Sequence, residues 1–318
     1  MHKFIINSPS RIHLGFLELN PESDRIFGSL GLTISNFKTS IKIDKSQHFK
    51  VKAKNENKIF SIVNKFQKHY SLKPCKISIL ETIPEHIGLG SGTQLSLNIG
   101  YALSKFSGLN LSLERIACIL DRGKRSGVGI GSFKLGGFLI DGGKQKNSND
   151  IPPIIFREKW PKKWKIILLF DSNSEGIHGN RELQEFKKIN KVKKNLSKKN
   201  YQSLVQSIMP SLIEKNFKQF CDGIQMIQNN TAKIFNKSQG GNYNSNGIAK
   251  IFNFLQNSGY SGFGQSSWGP TGFIICENIK KQQETINLIE EFNKNNFIKN
   301  IKMIKVEDKN HGFKLTKD

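Results

Sequence analysis

The segment 87–94, Ile-Gly-Leu-Gly-Ser-Gly-Thr-Gln, limits the possible folds more than any other part of the chain. It lies between an alternating strand pattern at 76–81 and a helical pattern that begins at Leu95. A glycine-rich turn that opens a helix points several backbone N–H groups at one spot, where the helix dipole adds positive charge. The sequence therefore predicts a phosphate-binding turn. A tight strand-to-helix turn without a ligand stays the open alternative.

The turn matches neither of two common nucleotide-binding motifs. It lacks the lysine of G-x-x-x-x-G-K-[ST], and its glycine spacing is not G-x-G-x-x-G. Thirteen of the 28 glycines fall between Gly88 and Gly143, so close backbone approach is concentrated there and we expect the ligand in that region. The predicted phosphate-binding residues are Gly88, Leu89, Gly90, Ser91, Gly92, Thr93 and Gln94.

Hydrophobic spacing predicts a mixed α and β chain with two lobes. In the first half it indicates strands at 3–7, 12–19, 39–43, 49–54 and 76–81, helices at 59–70, 95–106 and 113–122, and a strand pair around 133–141. In the second half it indicates the order β-α-β-β-α-β, ending with a helix at 279–293 and a strand at 301–306. The polar stretch 144–153 ends in Pro-Pro, so we expect an N-terminal lobe at 1–150 and a C-terminal lobe at 151–318.

The net charge of +24, from 49 basic and 25 acidic residues, suggests nucleic-acid binding as one possible function. The lysines are scattered, however, and the one dense run, at 187–199, has few aromatic residues interleaved with it. Such a module would leave the glycine motifs unexplained. We therefore expect no nucleic-acid partner and an anionic small-molecule ligand, which the positive charge would attract.

The four cysteines form no C-x-x-C pair, which argues against a zinc site or a disulfide scaffold. The N-terminus has no secretory pattern, and the longest apolar runs are too short to cross a bilayer. These features predict a cytoplasmic enzyme without a membrane partner.

Three segments resemble, in order, motifs of the GHMP-kinase superfamily. The run at 84–92, Pro-x-x-x-Gly-Leu-Gly-Ser-Gly, resembles its phosphate loop, P-x-x-x-G-L-G-S-S. The run at 8–14 resembles its N-terminal substrate strand, and 264–271 resembles its C-terminal glycine-rich motif. This resemblance implies an α+β, GHMP-kinase-like two-lobed fold, with an N-terminal lobe like ribosomal protein S5 domain 2 and a ferredoxin-like C-terminal lobe.

One departure separates this chain from the kinases of that superfamily. Kinases carry S-G-x-D after the second helix, where the aspartate acts as base, whereas Ser126-Gly127-Val128-Gly129 ends in glycine. General-base catalysis is worth about 10² to 10⁴ in rate. The missing carboxylate favours a relative that is not a kinase, and an ATP-dependent small-molecule kinase stays the alternative.

The β-ribofuranosylaminobenzene 5'-phosphate synthases of the same superfamily match in more detail. The segments 10–32, 90–94 and 126–143 resemble their S-R-x-H opening, their G-T-Q version of the loop and their S-G-I-G…G-G-F-x-x-D-G-G run. The resemblance implies that phosphoribosyl pyrophosphate reacts with 4-aminobenzoate or 4-hydroxybenzoate, with loss of pyrophosphate and CO₂ and formation of a C-riboside for a methanopterin-type pathway. It also implies Mg²⁺ and a homodimer.

Within this resemblance, Arg11, His13 and Arg25 are the candidate catalytic residues. A guanidinium suits a carboxylate or the 5'-phosphate, although a surface ion pair is the alternative for Arg25 and a buried core histidine is the alternative for His13. The candidate substrate-lining residues are Ser126, Gly127, Gly129, Gln265, Ser266, Ser267, Gly269 and Thr271. Asp24 and Asp141 are weaker candidates, His178 receives no role, and the sequence assigns no metal ligands.

Overall fold

A computed structural model describes residues 3–174, 176, 184 and 194–317. His178 and most of the lysine run therefore lie outside the described residues. The described helices and strands form two sheets with helices packed against them, which confirms the predicted α+β two-lobed fold.

The first sheet has eight strands in the order β12-β1-β2-β4-β3, with β5 and β6 paired to β2 and β7 paired to β5. Its strands are β1 (Lys3–Glu18), β2 (Arg25–Lys45), β3 (Lys50–Lys52), β4 (Cys75–Glu81), β5 (Phe138–Asp141), β6 (Lys144–Gln145), β7 (Ile154–Glu158) and β12 (Lys314–Lys317). The two predicted segments at 3–7 and 12–19 are one strand, β1, which continues through register shifts at Pro9/Ser10 and His13/Gly15.

Four helices accompany this sheet: α1 (Glu56–Gln67), α2 (Ser91–Ser107), α3 (Leu113–Ile119) and α4 (Val128–Lys134). The last of them corrects the sequence analysis, which expected a strand pair from about 133. Residues 128–133 are all buried, so their pattern has no polar face from which the helical period could be recognised. Within the predicted strand pair at 133–141, only β5 is a strand.

The second sheet has the order β11-β8-β10-β9, all antiparallel. Its strands are β8 (Lys165–Asp171), β9 (Phe263–Gln265), β10 (Thr271–Cys276) and β11 (Ile301–Val306). The helices are α5 (Lys194–Ser203), which continues as a π-helical turn (Leu204–Ile208) and then as α6 (Met209–Glu214), followed by α7 (Phe217–Gln239), α8 (Asn246–Asn257) and α9 (Ile279–Asn295). Numbered by sequence, the strand order is 4-1-3-2, as in a ferredoxin-like sheet.

The hydrophobic cores lie on both faces of each sheet. One cluster joins β1 and β4 to α1–α3 through residues such as Phe4, Ile77 and Phe66. Another joins β1, β2 and β5 to α7 and the second sheet. Because β7 and β12 also pair within the first sheet, strands from beyond residue 150 complete it. The division at 150/151 stays a prediction.

Among the described residues, no helix combines the length and the apolar character needed to cross a bilayer.

We expect the aromatic cluster around Phe220 to hold the two sheets together. Its ring centroid lies 5.6 Å from Phe138, 5.5 Å from Trp160 and 5.0 Å from Trp164, and the residue is fully buried. Phe220→Ala should lower the free energy of unfolding by about 3–5 kcal/mol, because it removes these contacts and leaves a cavity. Urea denaturation measures this. Phe297→Ala, at an 83% exposed position, is the control, and an equal loss in both variants would contradict the expectation.

Candidate active site

The glycine-rich turn is held against the C-terminal lobe by contact between two backbones. A Cβ atom at Gly269 would lie 2.5 Å from the amide nitrogen of Gly88, and one at Gly88 would collide with the carbonyl oxygen of Ser266. Gly88 also has φ +82°, which side-chain-bearing residues rarely adopt. The predicted segments 88–94 and 265–271 are therefore brought together, and glycine is required where they touch.

Donors from both lobes bind the carbonyl oxygens of this turn. Thr271 Oγ1 donates to Ile87 O at 2.5 Å, and Ser266 Oγ donates to Gly88 O at 2.8 Å. Arg11 donates through Nη1 to Gly88 O at 2.6 Å and through its backbone N–H to Leu89 O at 3.2 Å. In a trans peptide the C=O and the following N–H point in opposite directions. The N–H groups of residues 88–90 therefore point away from the donors that bind these carbonyl oxygens.

Among the described residues, the backbone N–H groups at the N-terminus of α2 have no hydrogen-bond acceptor. The first intrahelical bond runs from Gln94 N–H to Gly90 O, so the N–H groups of Ser91, Gly92 and Thr93 precede it. Gly90 caps the helix with φ 88° and without a side-chain bond, and the first turn holds no acidic residue. By contrast, asparagine or serine side chains cap α1, α3, α7, α8 and α9. This end of α2 suits an anion.

Two guanidinium groups lie beside this helix end. A Cβ at Gly90 would stand 3.3 Å from Arg11 Cζ, and one at Gly92 would stand 3.5 Å from Arg122 Nη1. Residues 90–93 are half-buried, so a ligand can reach them. Arg122 was not among the residues chosen from the sequence. Its place beside Gly92 results from the packing of α3 on α2, which the sequence does not display.

His13 is buried close to Arg11 and has one ring nitrogen without a partner among the described residues. Its Nδ1 accepts a hydrogen bond from Gly15 N–H at 3.4 Å, which places the proton of the neutral ring on Nε2, and Nε2 has no acceptor there. Its ring centroid lies 4.5 Å from that of Phe16. Burial, together with the charges of Arg11 and Arg125, lowers the pKa of His13 to about 3. His13 is therefore neutral at physiological pH.

Asp141 holds the segment 126–129 in place through hydrogen bonds. The buried carboxylate accepts hydrogen bonds from Ser29 Oγ at 2.5 Å, Ser126 Oγ at 3.2 Å, Gly127 N–H at 2.9 Å and Gly143 N–H at 3.0 Å. Desolvation raises its pKa, and these four hydrogen bonds oppose the rise. With all four donors directed at it, Asp141 positions Ser126 and Gly127 and has little capacity left to bind a metal.

Arg25 lies apart from Arg11 and His13. Its Nε donates to Gly142 O at 2.8 Å and its Nη2 donates to Gly143 O at 2.7 Å, so it holds the turn that follows β5. Along β2 it is six positions from Gly31, the strand partner of His13. Its role as an anion clamp stays a prediction.

Gly129 packs against the glycine-rich turn at Thr93. A Cβ at this position would stand 3.1 Å from Thr93 Cγ2, and the Gly129 carbonyl accepts a bond from Gln94 Nε2 at 2.8 Å. The Thr93 methyl group thus occupies the space into which a side chain at 129 would extend. The threonine and glutamine of the G-T-Q sequence therefore both contact Gly129.

Two predicted lining residues have structural partners within their own lobe. Gln265 accepts from Asn244 N–H at 2.7 Å and donates to Ser267 O at 2.9 Å, and its backbone N–H donates to Gln228 Oε1 at 3.0 Å. Ser267 has φ 58°. Ser266, Gly269 and Thr271 contact the turn itself, as described above.

Among the described residues, no group of three or more His, Cys, Asp or Glu side chains could hold a metal ion. A cleft of about 940 Å³ opens between α1 and the end of β4, but Glu56, Glu81 and Glu85 lie on its lining beside Lys54 and Lys58. An anion is better placed at the N-terminus of α2, beside the guanidinium groups of Arg11 and Arg122.

Comparison with known proteins identifies the family. The chain is 33% identical to the β-ribofuranosylphenol 5'-phosphate synthase of Methanocaldococcus jannaschii, over 70% of this chain and 76% of that protein. The corresponding protein of Archaeoglobus fulgidus is 31% identical over 70% of this chain and 74% of its own length. The chain belongs to the β-ribofuranosylphenol 5'-phosphate synthase family.

The resemblance on which the sequence analysis relied is thereby confirmed, and this member of the synthase family is an enzyme. The family model described as the GHMP kinases N terminal domain matches residues 57–137, which include the turn and Gly129. Mevalonate diphosphate decarboxylase from Enterococcus faecalis has the same fold, with a TM-score of 0.66 and 16% identity over 100% of this chain and 99% of that one.

This synthase-family enzyme should become less stable as the pH falls, because His13 takes up a proton more readily in the unfolded chain than in the folded one. The pKa of about 3 lies below the ordinary value of 6.5, so the unfolded chain binds a proton first and stability decreases from pH 6.5 downward. The limiting slope is about 1.4 kcal/mol per pH unit. Urea denaturation between pH 5 and 7 should show a shallower slope for His13→Gln than for wild type. His69→Gln, at an exposed position, is the control; identical slopes in all three proteins would contradict the assignment.

Asp141→Asn should destabilise the synthase fold, because an amide group turns one acceptor into a donor that faces N–H or O–H groups. We expect a loss of about 2–4 kcal/mol in the free energy of unfolding. Thermal or urea unfolding measures it. Asp150→Asn, in the exposed loop before β7, carries the same change and should have little effect. If Asp141→Asn were as stable as that control, the four hydrogen bonds could not be organising the segment 126–129.

Proposed function

We propose that the enzyme transfers the phosphoribosyl group of phosphoribosyl pyrophosphate to 4-hydroxybenzoate, releasing pyrophosphate and CO₂. The relatives are named for a β-ribofuranosylphenol 5'-phosphate. A phenol product requires the hydroxybenzoate, and 4-aminobenzoate would give the aminobenzene instead. The observation that carries the proposal is that position 129, where the kinases have their base, is a glycine packed closely against the Thr93 methyl group.

The reaction does not need a base at that point. The ring carbon that bears the carboxylate bonds to C1 of the ribose as the bond from C1 to pyrophosphate oxygen breaks, and pyrophosphate keeps that electron pair. The electrons of the ring–carboxylate bond then restore the aromatic ring and CO₂ leaves. No proton has to be removed from the reacting carbon. A kinase, in contrast, must deprotonate its alcohol, which is the task of the absent aspartate.

The positive end of α2 supplies what the leaving group requires. Pyrophosphate gains negative charge as it departs, and preorganised N–H donors that meet this charge stabilise the transition state. In our proposal the N–H groups at 88–93 and the Arg11 guanidinium bind pyrophosphate, with Ser126, Gly127 and Ser266 lining the space beside it. Neutral His13 would donate from Nε2 to a substrate oxygen, and Arg25 would attract the carboxylate or the 5'-phosphate.

We further propose that Mg²⁺ enters bound to the pyrophosphate group. Magnesium is commonly held by one or two carboxylates together with substrate phosphates and water. The described part of the chain offers no three-residue ligand group, and the turn carries hydroxyl groups on Ser91 and Thr93 as oxygen ligands. This composition fits a metal carried by the substrate. We also propose that the enzyme is a homodimer, because the family resemblance implies one.

One assay tests the function. Purified enzyme, phosphoribosyl pyrophosphate, Mg²⁺ and carboxyl-labelled 4-hydroxybenzoate or 4-aminobenzoate are incubated, and labelled CO₂ and pyrophosphate are measured with and without ATP. We expect equal amounts of CO₂ and pyrophosphate, no need for ATP, a preference for 4-hydroxybenzoate, and loss of activity with EDTA. Formation of ADP from ATP and an alcohol, with no CO₂ from either benzoate, would instead support a kinase.

A further inference from the structure

Arg122 lies along one face of α2 and reaches its N-terminus. Its Nε donates to Ser96 Oγ at 3.1 Å, and its Nη1 would stand 3.5 Å from a Cβ at Gly92. Ser96 and Gly92 are four residues apart and therefore on the same helix face. The bond to Ser96 anchors one edge of the guanidinium. Both Nη atoms lie beside Gly92, which has no side chain to cover them.

The charge of Arg122 is half-buried without a carboxylate to balance it. Among the described residues no Asp or Glu lies within ion-pair distance of its guanidinium, and the neighbouring Asp121 pairs with Lys65 at 2.8 Å and Lys124 at 2.9 Å. Desolvation lowers the pKa of Arg122, and the charge of Asp121 only partly opposes this. A guanidinium that loses hydration and gains no anion is stabilised when an anionic ligand arrives.

Arg122 and Arg11 lie beside different residues of the helix end. Arg11 lies beside the cap residue Gly90, and Arg122 lies beside Gly92 in the first turn. A diphosphate carries charge on two phosphate groups, so one group can meet Arg11 while the other meets Arg122. Two cations beside one helix end therefore suit a diphosphate.

We propose that Arg122 is a pyrophosphate-binding residue, which contacts one phosphate of the leaving group while Arg11 and the α2 N–H groups bind the other. The inference rests on the proposed function for its substrate, and it adds a residue to which sequence analysis gave no role. Arg122 neutralises charge that develops as the bond to ribose breaks. It acts on pyrophosphate and does not contact the aromatic acid.

The test is isothermal titration of inorganic pyrophosphate with Mg²⁺ into wild type, Arg122→Gln, Arg122→Lys and Lys124→Gln. Arg122→Gln should weaken binding about 10- to 100-fold, since a charge-assisted hydrogen bond is lost. Arg122→Lys should lie in between, because the charge remains without the planar fork. Lys124→Gln removes the same charge two residues away, at an exposed position, and should change binding less than about twofold.

Steady-state kinetics give a second readout. In Arg122→Gln the KM for phosphoribosyl pyrophosphate should rise while the KM for 4-hydroxybenzoate stays the same. Ser96→Ala keeps the charge but removes its anchor, so it should weaken pyrophosphate binding by a smaller factor. If Arg122→Gln does not fold, Ser96→Ala tests the role of Arg122 in its place.

The two proposals fail in different ways. If pyrophosphate binds wild type and Arg122→Gln equally, or if wild type does not bind it, the role of Arg122 is overturned. If Arg122→Gln loses pyrophosphate binding but neither benzoate yields labelled CO₂, the role of Arg122 stands and the proposed reaction is wrong.

Discussion

The site depends on how the carbonyl oxygens of the 87–89 turn are bound. Thr271, Ser266 and Arg11 donate to these three carbonyls, from the C-terminal lobe and from β1. With the carbonyls occupied, the N–H groups of the turn and of the first helical residues are left for a ligand. The close backbone contact between Gly88 and Gly269 makes these hydrogen bonds possible. A turn that is held from both lobes is preorganised, so little free energy is spent on ordering it when the ligand binds.

The electrostatics around this turn are consistently positive. The first turn of α2 has no acid, Arg11 and Arg122 flank it, and Asp141 has its oxygens occupied by four donors. His13 is neutral, because its burial and then the charges of Arg11 and Arg125 lower its pKa. Such a site suits a leaving group that gains negative charge, and it is poorly suited to removing a proton from an alcohol. The membership of the chain in the synthase family agrees with this chemistry.

Sequence patterns predicted the elements whose faces differ in polarity. Helices α1 and α9 each have one buried face, and they were recognised close to their true bounds. Strand β11 was recognised at its true bounds. The patterns failed where all faces are buried. Helix α4 was missed, and only its last two residues were placed in a strand pair. The long strand β2 was recognised only near 39–43, because residues 28–34 are buried on both faces. The register shifts in β1 could not be seen either, since they arise from its pairing with β2.

The amino-acid order alone determined the glycine-rich turn before α2, the absence of an acid at position 129 and the family, because these depend on which residues follow one another along a short stretch. Tertiary structure alone decided which distant groups meet there. It placed Thr93 against Gly129, Ser266 and Thr271 against the turn, and Arg122 beside Gly92, whereas Arg25 was directed to the carbonyls after β5. Such contacts join residues as many as 184 positions apart. They follow from the packing of helices and sheets, which local residue patterns do not encode.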